Sequence, residues 1–121
     1  MPIKKILIVD DSPTDRQFLL EALSKAGYQC VMAENGDEAI AKSGSEHPDL
    51  ILMDVVMPGT SGFQATRAIS RDEATKHIPI IMCTTKNQES DKIWGLRQGA
   101  RDYLTKPIDA KALLAKIAAL P

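Results

Sequence analysis

The fold is decided by the segment Leu50-Ile51-Leu52-Met53-Asp54-Val55-Val56-Met57-Pro58. Four apolar residues run without a polar break into Asp54, and Pro58 and Gly59 end the segment. A short apolar run bounded by turn-forming residues is typical of a strand buried on both faces, as in a parallel sheet. Ligands of open α/β sheets bind at the carboxyl ends of the strands. The segment therefore places Asp54 at a reactive edge, although a lone Asp there is more often a loop cap.

Length and composition predict one soluble globular domain. The chain has 121 residues, of which 44% are hydrophobic, which is enough for a single core. The formal net charge of −1 argues against nucleic-acid binding, because neutralising phosphates needs a clustered excess of Lys and Arg. No apolar run approaches the ~18 residues of a membrane span, so we expect a cytoplasmic protein without membrane insertion. Cys30 and Cys83 lack metal-ligand spacing and are expected to be small core residues.

Strand-like and helix-like patterns alternate along the chain. Strands are predicted at residues 6–9, 30–33, 50–53, 78–83 and 103–105. Helices are predicted after the start signals Ser12-Pro13, Asn35-Gly36, Ser61 and Asp109, and the helix that begins at Ser61 is predicted to end near Ile69. A further helix is predicted through Ile93 and Leu96, and it stops at Gly99. Phe18, Ile93 and Leu96 are expected to face the core. Five strands alternating with five helices imply right-handed crossovers and a parallel sheet with helices on both faces.

Acidic residues follow two of the predicted strands. Asp10 and Asp11 follow the first strand and Asp54 follows the third, so in a doubly wound sheet the three carboxylates can converge at one edge. Their repulsion needs a cation or a shifted pKa, and Mg²⁺ is the natural candidate because it prefers oxygen ligands. Thr84 adds a hydroxyl after the fourth strand, and Lys106 adds an ammonium after the fifth. Together these groups suit a phosphoryl group, whose charge must be neutralised from several sides.

This ordered set resembles the receiver domain of two-component response regulators over essentially the whole chain. The matching residues are Asp10-Asp11, Asp54, Met57-Pro58-Gly59, Gly62, Thr84, Gly99-Ala100, Tyr103 and Lys106-Pro107. The resemblance implies a flavodoxin-like (βα)5 fold with strand order 2-1-3-4-5, and a single receiver domain over residues 1–121 with no output domain. Residues 62–67 and 84–107 resemble, more narrowly, the small regulators of type IV pilus twitching motility.

The resemblance implies a phosphorylation site and a metal site. Asp54 would accept a phosphoryl group from a phosphohistidine on a sensor histidine kinase. Asp11, Asp54 and the backbone carbonyl of Val56 would bind Mg²⁺, with Asp10 acting through a water. The protein would catalyse only its own phosphotransfer and dephosphorylation, and would signal to an unknown downstream protein.

Side chains from the fourth and fifth strands would complete this site. Lys106 would pair with the acceptor carboxylate or a phosphoryl oxygen, and Thr84 would hydrogen-bond the phosphoryl group. A cis peptide bond is expected before Pro107, because the family uses that turn to aim the Lys. Tyr103 is either a rotating switch residue or a partly buried strand aromatic. Trp94 is either an exposed anchor for a partner protein or packed against a neighbouring helix.

The phosphorylated form is expected to be long-lived compared with that of fast chemotaxis regulators. In the family, the attacking water is influenced by the side chains two positions after the acceptor Asp and two positions after the Thr. Here those residues are Val56 and Lys86. Valine cannot hydrogen-bond a water and lysine can only donate. Thr85 adds bulk that narrows access to the site.

Other functions fit parts of the same pattern. A metal-dependent phosphatase with an aspartyl intermediate would carry a second Asp where Val56 stands. A flavin-binding carrier would need a phosphate-binding loop where Asp10 and Asp11 would repel phosphate. A receiver that works only by protein contact would be expected to lack Asp54 or Lys106. The sequence is best explained by a receiver switch. Such a switch would act either by controlling a partner protein or as a phosphate sink for a shared kinase.

Overall fold

A computed structural model describes residues 2–120. Its elements are β1 (Lys5–Val9), α1 (Pro13–Lys25), β2 (Gln29–Ala33), α2 (Gly36–Ser45), β3 (Leu50–Met53), α3 (Gly62–Arg71), β4 (Ile80–Thr84), α4 (Glu89–Gln98), β5 (Asp102–Thr105) and α5 (Ala110–Ala118). The strands form one parallel sheet in the order β2-β1-β3-β4-β5. The predicted flavodoxin-like fold and strand order are confirmed. Among the described residues, no helix is long and apolar enough to cross a membrane.

The two faces of the sheet carry separate hydrophobic cores. Leu7 and Val9 of β1 pack on the side covered by α2 and α3, and Ile6 and Ile8 pack on the side covered by α1 and α5. Each fully buried side chain of this kind contributes about 1.5–3 kcal/mol of transfer free energy. Burial on both faces explains why the central strands have continuous apolar sequences rather than alternating ones.

Local start and stop signals set the helix ends. The Ser12 side chain accepts a hydrogen bond in the first turn of α1, and Pro13 is the first helical residue. Ser61 and Gln64 form a reciprocal capping box at the start of α3. Gly99 ends α4 with a φ of 120°, a left-handed conformation that favours glycine. These ends were predicted from the sequence because capping depends on neighbouring residues alone.

Most element boundaries lie within one residue of the prediction, and two differ by two residues. The fourth strand begins at Ile80 rather than at Ile78, because Pro79 has no N–H to donate to a neighbouring strand. Only the Pro79 carbonyl takes part, accepting a hydrogen bond from the Ile51 N–H at 3.0 Å. Helix α3 also continues to Arg71, two residues beyond the predicted end.

Three residues predicted to face the core are exposed instead. Phe18 is 46% exposed, Ile93 47% and Leu96 48%. Helix α4 approaches the sheet through Gly95, its one buried residue, where a β-carbon would lie 3.1 Å from the Tyr103 ring. Because the contact is made by a residue without a side chain, the neighbouring large side chains flank it and point to solvent. The cysteines also differ, since Cys83 is buried as predicted while Cys30 is only partly buried.

Candidate functional site

The carboxyl ends of three adjacent strands position the polar residues of the site. Asp10 follows β1, Asp54 follows β3, and Thr84 is the last residue of β4. The Asp54 N–H donates to the Val9 carbonyl at 2.9 Å, and the Asp10 N–H donates to the Ala33 carbonyl at 3.1 Å. These backbone hydrogen bonds continue the strand pairing past the strand ends, so the polar residues are held by the sheet rather than by a free loop.

Three carboxylates converge at this edge. Asp10, Asp11 and Asp54 each offer an oxygen, and these oxygens lie within 4.8 Å of one another. Asp10 and Asp54 are buried, at 1% and 4% exposure, whereas Asp11 is exposed. Among residues 2–120, no hydrogen bond uses the carbonyl oxygen of Val56, which leaves it available as a further ligand. A partly exposed group of carboxylate and carbonyl oxygens fits Mg²⁺, a hard ion that keeps several waters.

Lys106 brings a positive charge to the carboxylates. Its backbone N–H donates to the Thr84 carbonyl at 2.8 Å, and its peptide bond to Pro107 is cis, as expected. The Lys106 Nζ lies 2.7 Å from Asp10 Oδ2 and 3.6 Å from Asp54 Oδ2. The ammonium therefore hydrogen-bonds Asp10 and forms a looser ion pair with Asp54.

The environment of Asp54 makes its carboxyl group less acidic. Burial, followed by repulsion from Asp10, raises the pKa of Asp54 to about 6. The Lys106 ammonium, the Val55 N–H at 2.8 Å from Oδ1, and the Thr84 hydroxyl act in the opposite direction. At neutral pH the Asp54 carboxylate is mainly ionised, but burial and the nearby Asp10 charge make its ionised form less stable than it would be in water.

A further acid, Asp15 of α1, touches the site and was missed from the sequence. Its Oδ2 lies 2.8 Å from the Lys106 Nζ. Burial lowers the pKa of Lys106, but hydrogen bonds to Asp10 and Asp15 outweigh it and hold that pKa above its usual value. The two residues are 91 positions apart, and an acid in the first turn of a helix is common for reasons of the helix dipole. The sequence therefore gave no signal for this contact.

Gly62 lets α3 approach the backbone after β3. A β-carbon at Gly62 would lie 1.9 Å from the Asp54 carbonyl oxygen, and the Gly62 N–H donates to the Val55 carbonyl at 3.0 Å. Gly59 adopts a φ of 74°, which turns the loop back towards α3. Val56, which lies in this loop, is 53% exposed.

The loop after β4 is tied to Tyr103. Thr84 is fully buried, and its Oγ1 accepts a hydrogen bond from the Lys86 N–H at 3.3 Å. Tyr103 is 9% exposed and its hydroxyl donates to the Lys86 carbonyl at 2.8 Å. Burial raises the pKa of Tyr103 to about 12, so the hydroxyl stays protonated. Thr85 is exposed, and the Lys86 ammonium makes only a long contact, 3.9 Å, with Asp91.

Trp94 does not join the carboxylates. It lies on α4 and is 48% exposed, next to the exposed side chains of Ile93 and Leu96. Trp94 is therefore partly exposed at the surface, and its role as an anchor for a partner protein stays a prediction. The three side chains form an apolar surface that we call the α4 surface.

Comparison with known families identifies the chain. A sequence profile of the response regulator receiver domain matches residues 6–118. The chain belongs to this family. It is 56% identical over 116 residues to protein PilH of Pseudomonas aeruginosa, covering 96% of both chains, which confirms the narrower resemblance to the twitching-motility regulators. Several other relatives are longer, and the chain spans about half of their length.

Solved receiver structures are similar over almost the whole chain. The chemotaxis protein CheY4 of Vibrio cholerae is 36% identical with a TM-score of 0.88, covering 95% of this chain and 96% of that one. The receiver domain of the sensor histidine kinase PA1611 of Pseudomonas aeruginosa is 31% identical with a TM-score of 0.87, covering 94% and 93%. In that structure a magnesium ion is coordinated in the active site cleft.

Proposed function

We propose that this receiver domain is a phosphorylation-dependent signalling switch in which Asp54 accepts a phosphoryl group from a sensor histidine kinase. The observation that carries the proposal is the grouping of Asp54 with Asp10 and Asp11 within 4.8 Å, with the Lys106 ammonium 3.6 Å from Asp54. A nucleophilic carboxylate, further oxygen ligands and a fixed cation are the groups that phosphoryl transfer requires.

The transfer forms one bond and breaks another. An Asp54 carboxylate oxygen attacks the phosphorus of the phosphohistidine, and the O–P bond forms as the N–P bond breaks. The imidazole nitrogen leaves with the electron pair of that bond. Lys106 offsets negative charge at the acceptor oxygens, and Thr84, fully buried beside them, offers a hydroxyl to the phosphoryl group.

The same residues would hold Mg²⁺. Asp10, Asp11, Asp54 and the Val56 carbonyl provide oxygen ligands only, and the related PA1611 receiver holds magnesium in its cleft. The bound ion supplies positive charge that neutralises the oxygens of the transferring group. Lys106 alone carries one positive charge against three carboxylates, so the site needs a further cation to accept a phosphoryl group.

Incubation with acetyl phosphate and Mg²⁺, followed by intact-mass measurement, tests the phosphorylation site. The wild type is expected to gain the mass of one phosphoryl group, and the gain is expected to vanish in Asp54→Asn and after chelation of the metal. Glu21→Gln, which removes an exposed acid on α1, is the matched control and should behave as the wild type. A mass gain that persists in Asp54→Ala would overturn the assignment.

The output of the switch is proposed to be a protein contact in motility control, by similarity to PilH. The exposed Trp94 of the α4 surface is the proposed anchor, and Tyr103, held by the loop after β4, is the proposed link between site and surface. Trp94→Ala should leave phosphorylation intact and weaken binding to the partner protein. Loss of phosphorylation in this variant would contradict a role confined to output.

The phosphorylated form is proposed to be long-lived. Val56 cannot hydrogen-bond a water, and the exposed Lys86 can only donate, so neither side chain accepts a hydrogen bond from the attacking water. Thr85 is also exposed, and its bulk is proposed to narrow access to the site. The double variant Val56→Asn, Lys86→Glu should therefore lose its phosphoryl group faster than the wild type, whereas Lys111→Glu, an exposed charge reversal on α5, should not. Equal decay of the double variant would exclude control by these side chains.

A further inference from the structure

The Lys106 ammonium divides its hydrogen bonds unevenly among three acids. Its Nζ lies 2.7 Å from Asp10 Oδ2 and 2.8 Å from Asp15 Oδ2, but 3.6 Å from Asp54 Oδ2. The first two distances are hydrogen bonds, and the third is not. An ammonium has three protons to donate, enough for all three acids. In the unphosphorylated protein, however, Asp54, the proposed phosphorylation site, receives no hydrogen bond from Lys106.

Asp15 is not occupied with capping α1. It lies three residues after the N-cap Ser12, where an acidic side chain can bond back to the N-cap N–H. That N–H instead donates to Asp10 Oδ1 at 2.9 Å, and the Asp15 side chain reaches across to Lys106. The contact therefore joins the start of α1 to the end of β5 and is more than a local helix feature.

Of the two acids that Lys106 hydrogen-bonds, Asp15 can break its hydrogen bond at the lower free-energy cost. Its side chain is 43% exposed, whereas that of Asp10 is 1% exposed. An Asp15 carboxylate that leaves Lys106 is solvated by water, but Asp10 would be left buried without its partner. A cavity of about 220 Å³ lined by both Asp15 and Lys106 gives the side chains room to separate.

We propose that Asp15 is a positioning residue that holds the Lys106 ammonium towards α1 in the unphosphorylated protein and releases it when Asp54 carries a phosphoryl group. The proposal rests on the proposed function of Asp54. Phosphorylation adds negative charge and acceptor oxygens at Asp54, which compete with the exposed Asp15 for the same ammonium. The hydrogen bond between Asp15 and Lys106 thus opposes phosphorylation of Asp54, and it breaks once Asp54 is phosphorylated.

The contact itself is tested first, without phosphorylation, by NMR of the Lys106 side-chain ammonium. Hydrogen bonds to two carboxylates slow the exchange of ammonium protons with water. Asp15→Asn should therefore move the Lys106 signal and speed this exchange, while Glu21→Gln, the loss of an exposed acid on the same helix, should do neither. A Lys106 signal that is the same in Asp15→Asn and in the wild type overturns the proposal.

The effect on the reaction is tested by the rate of phosphorylation by acetyl phosphate with Mg²⁺. Asp15→Asn should accelerate phosphorylation by about two- to fivefold, which corresponds to the free energy of a typical exposed ion pair. The acceleration should be absent in Glu21→Gln, and absent when Asp15→Asn is added to Lys106→Ala, since no ammonium is then held back. A rate that is unchanged or lower in Asp15→Asn, or an equal acceleration in the Lys106→Ala background, overturns the proposal.

The two proposals fail in different ways. A wild type that gains no phosphoryl group at Asp54 overturns the proposed function, while the NMR comparison still decides whether Asp15 holds Lys106. A wild type that is phosphorylated at Asp54 and an Asp15→Asn variant that reacts no faster overturn the role of Asp15 alone.

Discussion

Strand β3 and helix α4 have opposite relations to the core, although both contain large apolar residues. Every residue of β3 is buried, whereas Ile93, Trp94 and Leu96 of α4 are each about half exposed. β3 is the central strand of the sheet and has helices on both faces, while α4 packs beside the edge strand β5 through Gly95. An apolar residue is buried when other elements surround its position, and its own character does not guarantee this.

The same difference separates the site from the proposed output. The end of β3 presents Asp54, held by backbone hydrogen bonds to its neighbours in the sheet. The side chains of the α4 surface are each about half exposed, so changes there need not disturb the core. The two regions should respond differently to matched substitutions.

The largest expected difference comes from one substitution made in both regions. Leu52→Ala in β3, where the side chain is 1% exposed, should lower the free energy of unfolding by about 2–5 kcal/mol, because it removes buried surface and leaves a cavity. Leu96→Ala on α4, where the side chain is 48% exposed, should change it by about 0.5 kcal/mol or less. Urea unfolding measures both, and similar losses would show that Leu96 is packed.

The buried charge at the end of β3 predicts a pH effect. The pKa of Asp54 is raised from 3.8 to about 6 in the folded protein, so folding favours the protonated form and this group makes stability fall as the pH rises from about 4 to 6. Asp54→Asn removes that loss. Without metal, the variant should be more stable than the wild type at pH 7, by up to about 3 kcal/mol, but not at pH 4.

The control for this pH effect lies on α4. Glu89→Gln removes an exposed acid and shows how much of the change comes from net charge alone. Urea unfolding with a chelator present compares each of the two variants with the wild type at pH 4 and at pH 7. An Asp54→Asn variant no more stable than the wild type at pH 7 would show that the carboxylate charge is not costly at this site.

Two glycines sharpen the contrast between a close approach and an open surface. Gly62→Ala should destabilise the protein by about 1–3 kcal/mol, because its β-carbon would overlap the Asp54 carbonyl oxygen and one backbone must shift. Gly44→Ala in α2 meets no atom within 4 Å and should stabilise by up to about 1 kcal/mol, since Ala favours the helix. Thermal or urea unfolding measures both, and a Gly62→Ala variant as stable as the wild type would mean that the loop after β3 yields freely.

The smallest expected effect is that of Trp94 on stability. Trp94→Ala should change the free energy of unfolding by about 0.5 kcal/mol or less, because the side chain is 48% exposed. Trp94 is also the single tryptophan of the chain, so its fluorescence should be quenched by acrylamide almost as well in the folded as in the unfolded protein. A large loss of stability together with protection from the quencher would place Trp94 in packed surroundings.

The order of strands and helices, and the convergence of three carboxylates at one sheet edge, could be predicted from the sequence. Short apolar runs ending at Asp10, Asp54 and Thr84 predicted parallel strands, and parallel strands bring their carboxyl ends to one edge. Start and stop signals such as Ser12 and Gly99 predicted the helix ends. These features depend on neighbours in the sequence or on the period of an element, and both can be read from the residues.

Which apolar residues are covered, and which charged residues meet, depends on the tertiary structure. The exposure of Phe18 and Leu96 depends on whether another element lies over each helix face, which the helical period does not specify. The contact between Asp15 and Lys106 joins residues 91 positions apart, and either residue alone has an ordinary local explanation. A long-range pair of this kind exists only because the sheet places the end of β5 beside the start of α1.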